Sequence, residues 1–370
     1  MKIALDTRDL GFATTGTRTY LQELLFALRA QQKEGITLIE LSGMQWGTSR
    51  SSSAFLTKFI QQLSLLLWKQ FVLPLRCRAA KADVLICTDY FLPLLPCGVK
   101  KIVVFHDALF FDMPENYPRL WLLYFKALYL PAAHRASAIV TPSFFSRDRL
   151  LYHFPFWSQK LKVIYQGPKV LPEQGAISPN GERVMQLLQG KPFFLHVGVF
   201  EKRKNILFLL EAFATFARRF DVKLLLIGSS NGKLYSDDAA NIHRYIQAHQ
   251  LQDKVILAGY LPDADLSFFY GQAKAYIYPS VYEGFGIPLL EAFTNGLPVA
   301  SALGSALEEV AADASIYFDP RIKDSLVDCM ERLHTDELLR SQLIARGYQR
   351  VGQFRWSELV KDFIVLAKSL

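Results

Sequence analysis

Short, continuously apolar runs alternate along this chain with longer stretches in which apolar positions recur every three or four residues. The runs are Lys2–Leu5, Asp83–Cys87, Lys101–Phe105 and Ala138–Val140, then Phe193–Val197, Lys223–Ile227, Val255–Ala258, Ala275–Tyr278 and Pro298–Ala300. Runs so short and so apolar predict strands buried on both faces, as in a parallel sheet. The stretches between them, such as Ile206–Phe216 and Leu289–Phe293, carry a helical period. Strand and helix in alternation predict an α/β protein built of βαβ units, with doubly wound parallel sheets.

The period breaks at Tyr165–Arg183, a stretch rich in Pro and Gly, which predicts a linker. At 370 residues the chain holds two such sheets. The expected division is a first domain over 1–168, a linker over 169–185, a second domain over 186–352 and a terminal helix over 353–370. Two parallel-sheet domains facing each other form a cleft at the carboxyl ends of their strands, where ligands of such sheets bind.

Composition narrows the class. Apolar residues make up 51% and charged residues 21%, which excludes a disordered or collagenous chain. The formal charge of +8 is lopsided, because residues 1–170 carry 21 Lys and Arg against 11 Asp and Glu. A basic half points to an anionic partner such as an acidic membrane surface. Nucleic acid is not expected, since no basic motif interleaved with aromatics accompanies the charge. Four cysteines at 77, 87, 97 and 329, without a C-x-x-C pair, signal neither a disulfide framework nor a zinc site and fit a reducing cytoplasm. The opening MKIALDTRDL reaches charge too early for a signal peptide. No apolar run is long enough to span a bilayer.

One segment bears on the membrane question. Phe55–Leu75 sets Leu56, Phe59, Ile60, Leu63, Leu66 and Phe71 on one helical stripe, widened by Leu65 and Trp68 and flanked by Lys58 and Lys69. Such a stripe suits insertion into a headgroup layer, and it equally suits a helix packed on its own domain.

The chemistry concentrates at Tyr278–Ala300. After the strand, a turn containing Gly284 and Gly286 opens a helix with Pro288 in its first turn. Glycines let a ligand approach the backbone, and a helix start contributes about half a positive charge, so a sugar or phosphate fits there. Glu283 and Glu291 bracket the turn eight positions apart. Carboxylates accept paired hydrogen bonds from vicinal hydroxyls, so one suits a ribose and the other a transferred sugar. The run V-G-V-F-E-K-R-K-N at 197–205 adds Arg203 and Lys204. A diphosphate carries far more charge than one helix end neutralises, so fixed cations are required. His106 and Asp107 end the strand Lys101–Phe105, with Ser143 at a comparable edge. His106 there either binds a hydroxyl or is satisfied by nearby backbone. Asp6–Tyr20 is a loop with Gly11 and Gly16, able to fold over phosphates or to serve only a turn. The triplet Asp263–Ala264–Asp265 is the pattern that can hold a divalent metal, but its place ahead of an apolar helical run reads as a helix cap. No metal or other cofactor is expected.

Together these residues resemble retaining glycosyltransferases of the GT-B fold, in glycosyltransferase family 4 and its group-1, mannosyltransferase-like branch. The resemblance rests on E-G-F-G-I-P-L-L-E at 283–291, E-K-R-K-N at 201–205 and P-S-V-Y-E at 279–283. Weaker matches are H-D at 106–107, T-P-S-F-F-S at 141–146 and T-G-T-R-T-Y at 15–20. It implies that Glu291 binds the ribose, that Arg203 and Lys204 hold the diphosphate, and that Glu283 lies beside the transferred sugar. It also implies sugar contacts from the backbone of Gly284, Phe285, Gly286 and Ile287, an approach by His106 from the first domain, and phosphate contact by the loop of Gly16. The base then lies near Gly228, Tyr260 and Leu261, and the final helix crosses back to the first domain. Arg18, Phe293 and Thr294 depart from the family's smaller residues.

The function implied is transfer of a hexose, mannose first, from GDP-mannose to a cell-surface glycan such as lipopolysaccharide or to a lipid-linked saccharide. The expected setting is the cytoplasm, at the inner face of an anionic membrane. Two alternatives stand beside it. One is a sucrose- or glycan-synthase-like transferase with a soluble acceptor, and the other is a non-catalytic sugar-nucleotide-binding scaffold.

Overall fold

Each of the nine apolar runs overlaps a strand of one of two parallel sheets, with Asp83, Phe105 and Pro298 just outside the strands. The computed structural model describes residues 1–11, 16–31, 35–43, 54–172, 175–230 and 235–370, with the backbone alone for 54–59. The first compact unit is Met1–Gln166 with Arg355–Leu370. Its strands are β1 (Lys2–Asp6), β2 (Thr37–Leu41), β3 (Val84–Cys87), β4 (Lys100–Val104), β5 (Ala138–Thr141) and β6 (Leu161–Val163), in the order β2-β1-β3-β4-β5-β6. The second unit is Gly167–Phe354. It holds β7 (Phe193–Val197), β8 (Lys223–Ile227), β9 (Val255–Gly259), β10 (Ala275–Tyr278), β11 (Val299–Ala302) and β12 (Ser315–Phe318), in the order β12-β11-β10-β7-β8-β9.

Three strands lie outside the apolar runs: β2, β6 and β12. All three are sheet edges. An edge strand is paired on one side only, so it is less strictly held to a continuous apolar run, although the edge strand β9 is one. Accordingly β2 and β6 mix buried with exposed positions.

Helices cover both faces of each sheet. The final helix, Trp356–Ser369, buries Trp356, Leu359, Val360, Phe363 and Ile364 with Leu21 and Leu24 of the Gly16–Ala30 helix, in one apolar cluster of the first unit. The segment expected to be linker is helical from Pro179 to Leu188. Ser178 caps that helix by accepting the Gly181 amide at 3.2 Å. Asp265, buried out of solvent, accepts the Ser178 amide at 2.8 Å and its hydroxyl at 2.5 Å. The cap expected of the D-x-D triplet therefore serves a different helix. Pro262 precedes the Asp263–Gln272 helix, and Asp263 pairs with Lys169 at 2.5 Å.

The Phe55–Leu75 stripe also differs from expectation. Leu56 and Phe59 lie outside the described side chains. A π-helical turn at Trp68–Val72 breaks the 3.6-residue period and turns Trp68, Lys69 and Gln70 inward together. Extra residues in a turn shift every side chain beyond it. The exposed apolar positions are Leu63, Leu67, Phe71, Val72 and Leu75. Lys69 does not flank a surface stripe: its ammonium lies 2.8 Å from Asp6 and 2.9 Å from Asp89. Asp6 ends β1 and Asp89 follows β3, the pair of strands between which the strand order of the first sheet reverses.

Candidate active site

In the second sheet the order reverses between β7 and β10, which pair through Ala275–Phe194 and Tyr276–Leu195. A reversal leaves an open crevice, because the two following connections run to opposite faces. The segment after β7 contains Arg203 and Lys204, and the segment after β10 contains Glu283. A backbone bond from the Val281 amide to the Arg203 carbonyl, 2.9 Å, ties the two loops together.

Arg203 and Lys204 end a single 3-10 turn, Lys202–Lys204. Asn205 follows with φ of 55°, a left-handed conformation that asparagine tolerates, and opens the Ile206–Phe216 helix. Glu283 is buried between the two cations, with Lys204 Nζ donating at 2.5 Å and Arg203 Nη1 at 2.9 Å. Arg203 Nε also donates to Glu201 at 2.8 Å. Burial alone would raise the Glu283 carboxyl, but the Lys204 and Arg203 charges outweigh it and hold the group down at about 2. Lys204 lies over the Tyr278 ring, 5.3 Å from its centre.

The turn beyond Glu283 is built for close approach. Gly284, Phe285 and Gly286 are buried and Ile287 half-buried. Gly286 has φ of +104°, a conformation strained for any side chain, and a Cβ there would press on the Leu307 methyl, so glycine is favoured. The Ile287–Thr294 helix starts here with Pro288 in its first turn. Pro288 has no N–H and the Leu289 amide donates to the Gly286 carbonyl at 3.0 Å, so the helix start contributes its partial positive charge through the Ile287 amide and the helix dipole.

Glu291 lies on that helix, buried, and accepts the Tyr270 hydroxyl at 2.9 Å. Burial dominates here. It raises the carboxyl to about 7 against the opposing effects of Tyr270 and Lys169.

The positions expected near a base lie at the carboxyl ends of β8 and β9. The Gly228 amide donates to the Gly259 carbonyl at 2.9 Å. A Cβ on Gly228 would stand 1.9 Å from the Gly198 carbonyl oxygen, so the backbones beyond β7 and β8 touch. Leu261 is buried, while Tyr260 is 77% exposed and offers a free aromatic face.

His106 and Gly16 belong to the first unit. His106 Nε2 donates to the Thr88 carbonyl at 2.7 Å. Burial lowers its pKa, so the ring is neutral with Nδ1 as the acceptor nitrogen. Asp107 accepts from the Tyr90 hydroxyl at 2.9 Å. Gly16 begins the Gly16–Ala30 helix, exposed, and residues 12–15 of its loop lie outside the described residues.

Several buried groups around the site gave no signal in the sequence. Tyr270 precedes Glu291 by 21 residues, with no motif linking them. His196 at the end of β7 is fully buried, donates from Nδ1 to the Ile277 carbonyl at 3.0 Å, and is pushed down by burial to about 4. Tyr278 and Ser280 read as strand and motif residues, yet both are buried beside Glu283. Among the described residues, no group of three or more His, Cys, Asp or Glu side chains is arranged to hold a metal.

Known proteins resemble this chain in sequence and in fold. A family model described as Glycosyltransferase Family 4 matches residues 15–168, and one described as Glycosyl transferases group 1 matches residues 182–350. The chain is 28% identical over 274 residues to O-antigen chain mannosyltransferase B of Escherichia coli, covering 73% of this chain and 71% of that one. Sucrose-phosphate synthase from Thermosynechococcus elongatus superposes with a TM-score of 0.75 at 17% identity, over 100% of this chain and 98% of that one. Anabaena HepE in complex with UDP-glucose gives a TM-score of 0.70 at 16% identity, over 100% of both chains. The fold is the GT-B class expected from the sequence. With both sheets matched to family models and the Glu283, Arg203 and Lys204 cluster at the strand-order reversal, the chain belongs to the group 1 glycosyltransferases of glycosyltransferase family 4.

Proposed function

We propose that this glycosyltransferase transfers mannose from GDP-mannose, with retention and without a metal, to a cell-surface glycan or lipid-linked saccharide. The observation that carries the reading is the meeting of Arg203, Lys204 and Glu283 beside the start of the Ile287–Thr294 helix. Fixed cations and helix amides aimed at a departing diphosphate stabilise the charge that develops as the sugar bond breaks. Retention follows when the acceptor attacks the face that the diphosphate vacates, with the diphosphate taking the acceptor's proton. Glu291 offers its carboxylate to the ribose hydroxyls, and Tyr260 offers the base a stacking surface. Metal independence is supported by the separate engagements of Asp263 with Lys169 and Asp265 with Ser178.

Mannose and the glycan acceptor are supported by the likeness to O-antigen chain mannosyltransferase B. Cytoplasmic placement is supported by the four buried, unpaired thiols. No helix among the described residues is long and apolar enough to cross a membrane. Peripheral contact with an anionic membrane is supported by exposed Leu63, Leu67, Phe71, Val72 and Leu75, with exposed Arg76 and Arg78 beside them.

The test is transfer from GDP-mannose and UDP-glucose to lipid-linked and soluble acceptors, with product anomers assigned by NMR. Retained mannosyl product on a lipid-linked acceptor is expected. UDP-glucose as sole donor with a soluble acceptor overturns the mannosyl reading, and inversion overturns the mechanism. Flotation with anionic liposomes tests the membrane contact, and absence of binding at low salt removes it.

A further inference from the structure

Both oxygens of Glu283 are engaged, at 2.5 Å by Lys204 and 2.9 Å by Arg203, and Arg203 also carries Glu201. These four side chains, two cations and two carboxylates, bear no net charge. A diphosphate arriving here meets a site whose cations are already matched. To bind, it must take Lys204 and Arg203 away from Glu283. Stripping a buried carboxylate of its partners is costly unless new donors receive it.

Two donors stand ready. Tyr278 and Ser280 are both buried to 0% exposure. Neither hydroxyl makes a hydrogen bond of ordinary geometry among the described residues. The Tyr278 ring lies 5.3 Å from the Lys204 ammonium that holds Glu283, and both hydroxyls already lie within weak hydrogen-bonding reach of the Glu283 carboxylate. Buried polar groups without partners are uncommon in folded proteins and call for an explanation.

We propose that Tyr278 and Ser280 are positioning residues that receive the Glu283 carboxylate when a diphosphate takes over Lys204 and Arg203. The exchange keeps Glu283 charged and hydrogen-bonded in both states. It makes Glu283 the anion with which the donor competes, and Tyr278 and Ser280 the groups that make the competition winnable. The inference rests on the reading that a diphosphate binds Arg203 and Lys204.

Calorimetric titration of the full chain with GDP, UDP and inorganic pyrophosphate tests it. The proteins are wild type, Glu283→Gln, Tyr278→Phe with Ser280→Ala, and all three changes combined. Glu283→Gln, freed of the competing charge, is expected to bind about 5–10-fold tighter, and the hydroxyl-less variant about 5–10-fold weaker. In the Glu283→Gln background the hydroxyl changes should matter by less than about twofold, which a merely structural defect would not reproduce. Weaker binding by Glu283→Gln, or an equal effect of the hydroxyl changes in both backgrounds, overturns the proposal and leaves the diphosphate site standing. No binding of any of the three by wild type, or binding unchanged in Lys204→Ala, overturns the site itself and the proposal with it. Tyr278→Phe alone keeps the buried ring beneath Lys204 and carries the same comparison if the double variant fails to fold.

Discussion

Glu283 and Glu291, eight residues apart on one turn and helix, are both buried and yet are driven in opposite directions, one held down at about 2 and the other raised to about 7. The difference lies in their partners. Glu283 faces two cations, whereas Glu291 has one tyrosine hydroxyl bonded to it.

The Glu291 pKa gives donor binding a pH dependence. A carboxylate that grips ribose hydroxyls works best ionised, so affinity for GDP-mannose should rise as pH passes upward through about 7. The diphosphate of a nucleotide sugar is doubly esterified and does not titrate in that range. Calorimetry from about pH 6 to 8 should show the rise in wild type and a flat, weaker profile in Glu291→Gln; a wild-type profile that is flat or falls would contradict the role.

Lys204→Ala removes the cation nearest Glu283 and one of the two proposed to meet the leaving diphosphate. The expected loss in kcat/KM is about 10²–10³-fold, the scale of removing one transition-state donor. With Arg203 alone beside it, the Glu283 carboxyl should titrate above its present value of about 2, measurable by NMR on labelled glutamate. Unchanged turnover would separate the cation from the chemistry.

Lys69→Met deletes the ammonium that Asp6 and Asp89 share in the first unit. Leaving buried carboxylates unpaired should cost about 3–5 kcal/mol in urea unfolding. Affinity for GDP-mannose should stay within about twofold, because Lys69 belongs to the unit without the cationic turn.

Gly228→Ala places a methyl group on the Gly198 carbonyl, in a backbone of φ +142°. Strain and overlap together should cost more than about 2 kcal/mol. Nucleotide affinity should fall with it, since the displaced backbone lies at the carboxyl edge of β8. An alanine variant with wild-type stability would show that the two backbones yield freely.

Much of the fold was legible as a pattern because central strands of a parallel sheet are apolar on both faces, and nine runs matched nine strands. The edge strands β2, β6 and β12 were not, since one-sided pairing relaxes the demand for apolar residues. The π-helical turn at Trp68 was equally hidden. A period extrapolated through it placed Lys69 at the surface, where the structure buries it among carboxylates.

The sequence by itself determined the parts of the site: a glycine-bearing turn, a proline-led helix start, two glutamates at fixed spacing and a short cationic run. Local backbone preferences and charge are properties of neighbouring residues, so they can be read in order. Only the tertiary structure decided that Arg203 and Lys204 meet Glu283 across 80 and 79 residues. The β7 and β10 strands had to pair at the reversal of strand order for that to happen, and pairing is chosen by the burial of whole sheets. The same long-range packing set how deeply each glutamate is buried and what it touches, and so gave two identical side chains opposite acidities.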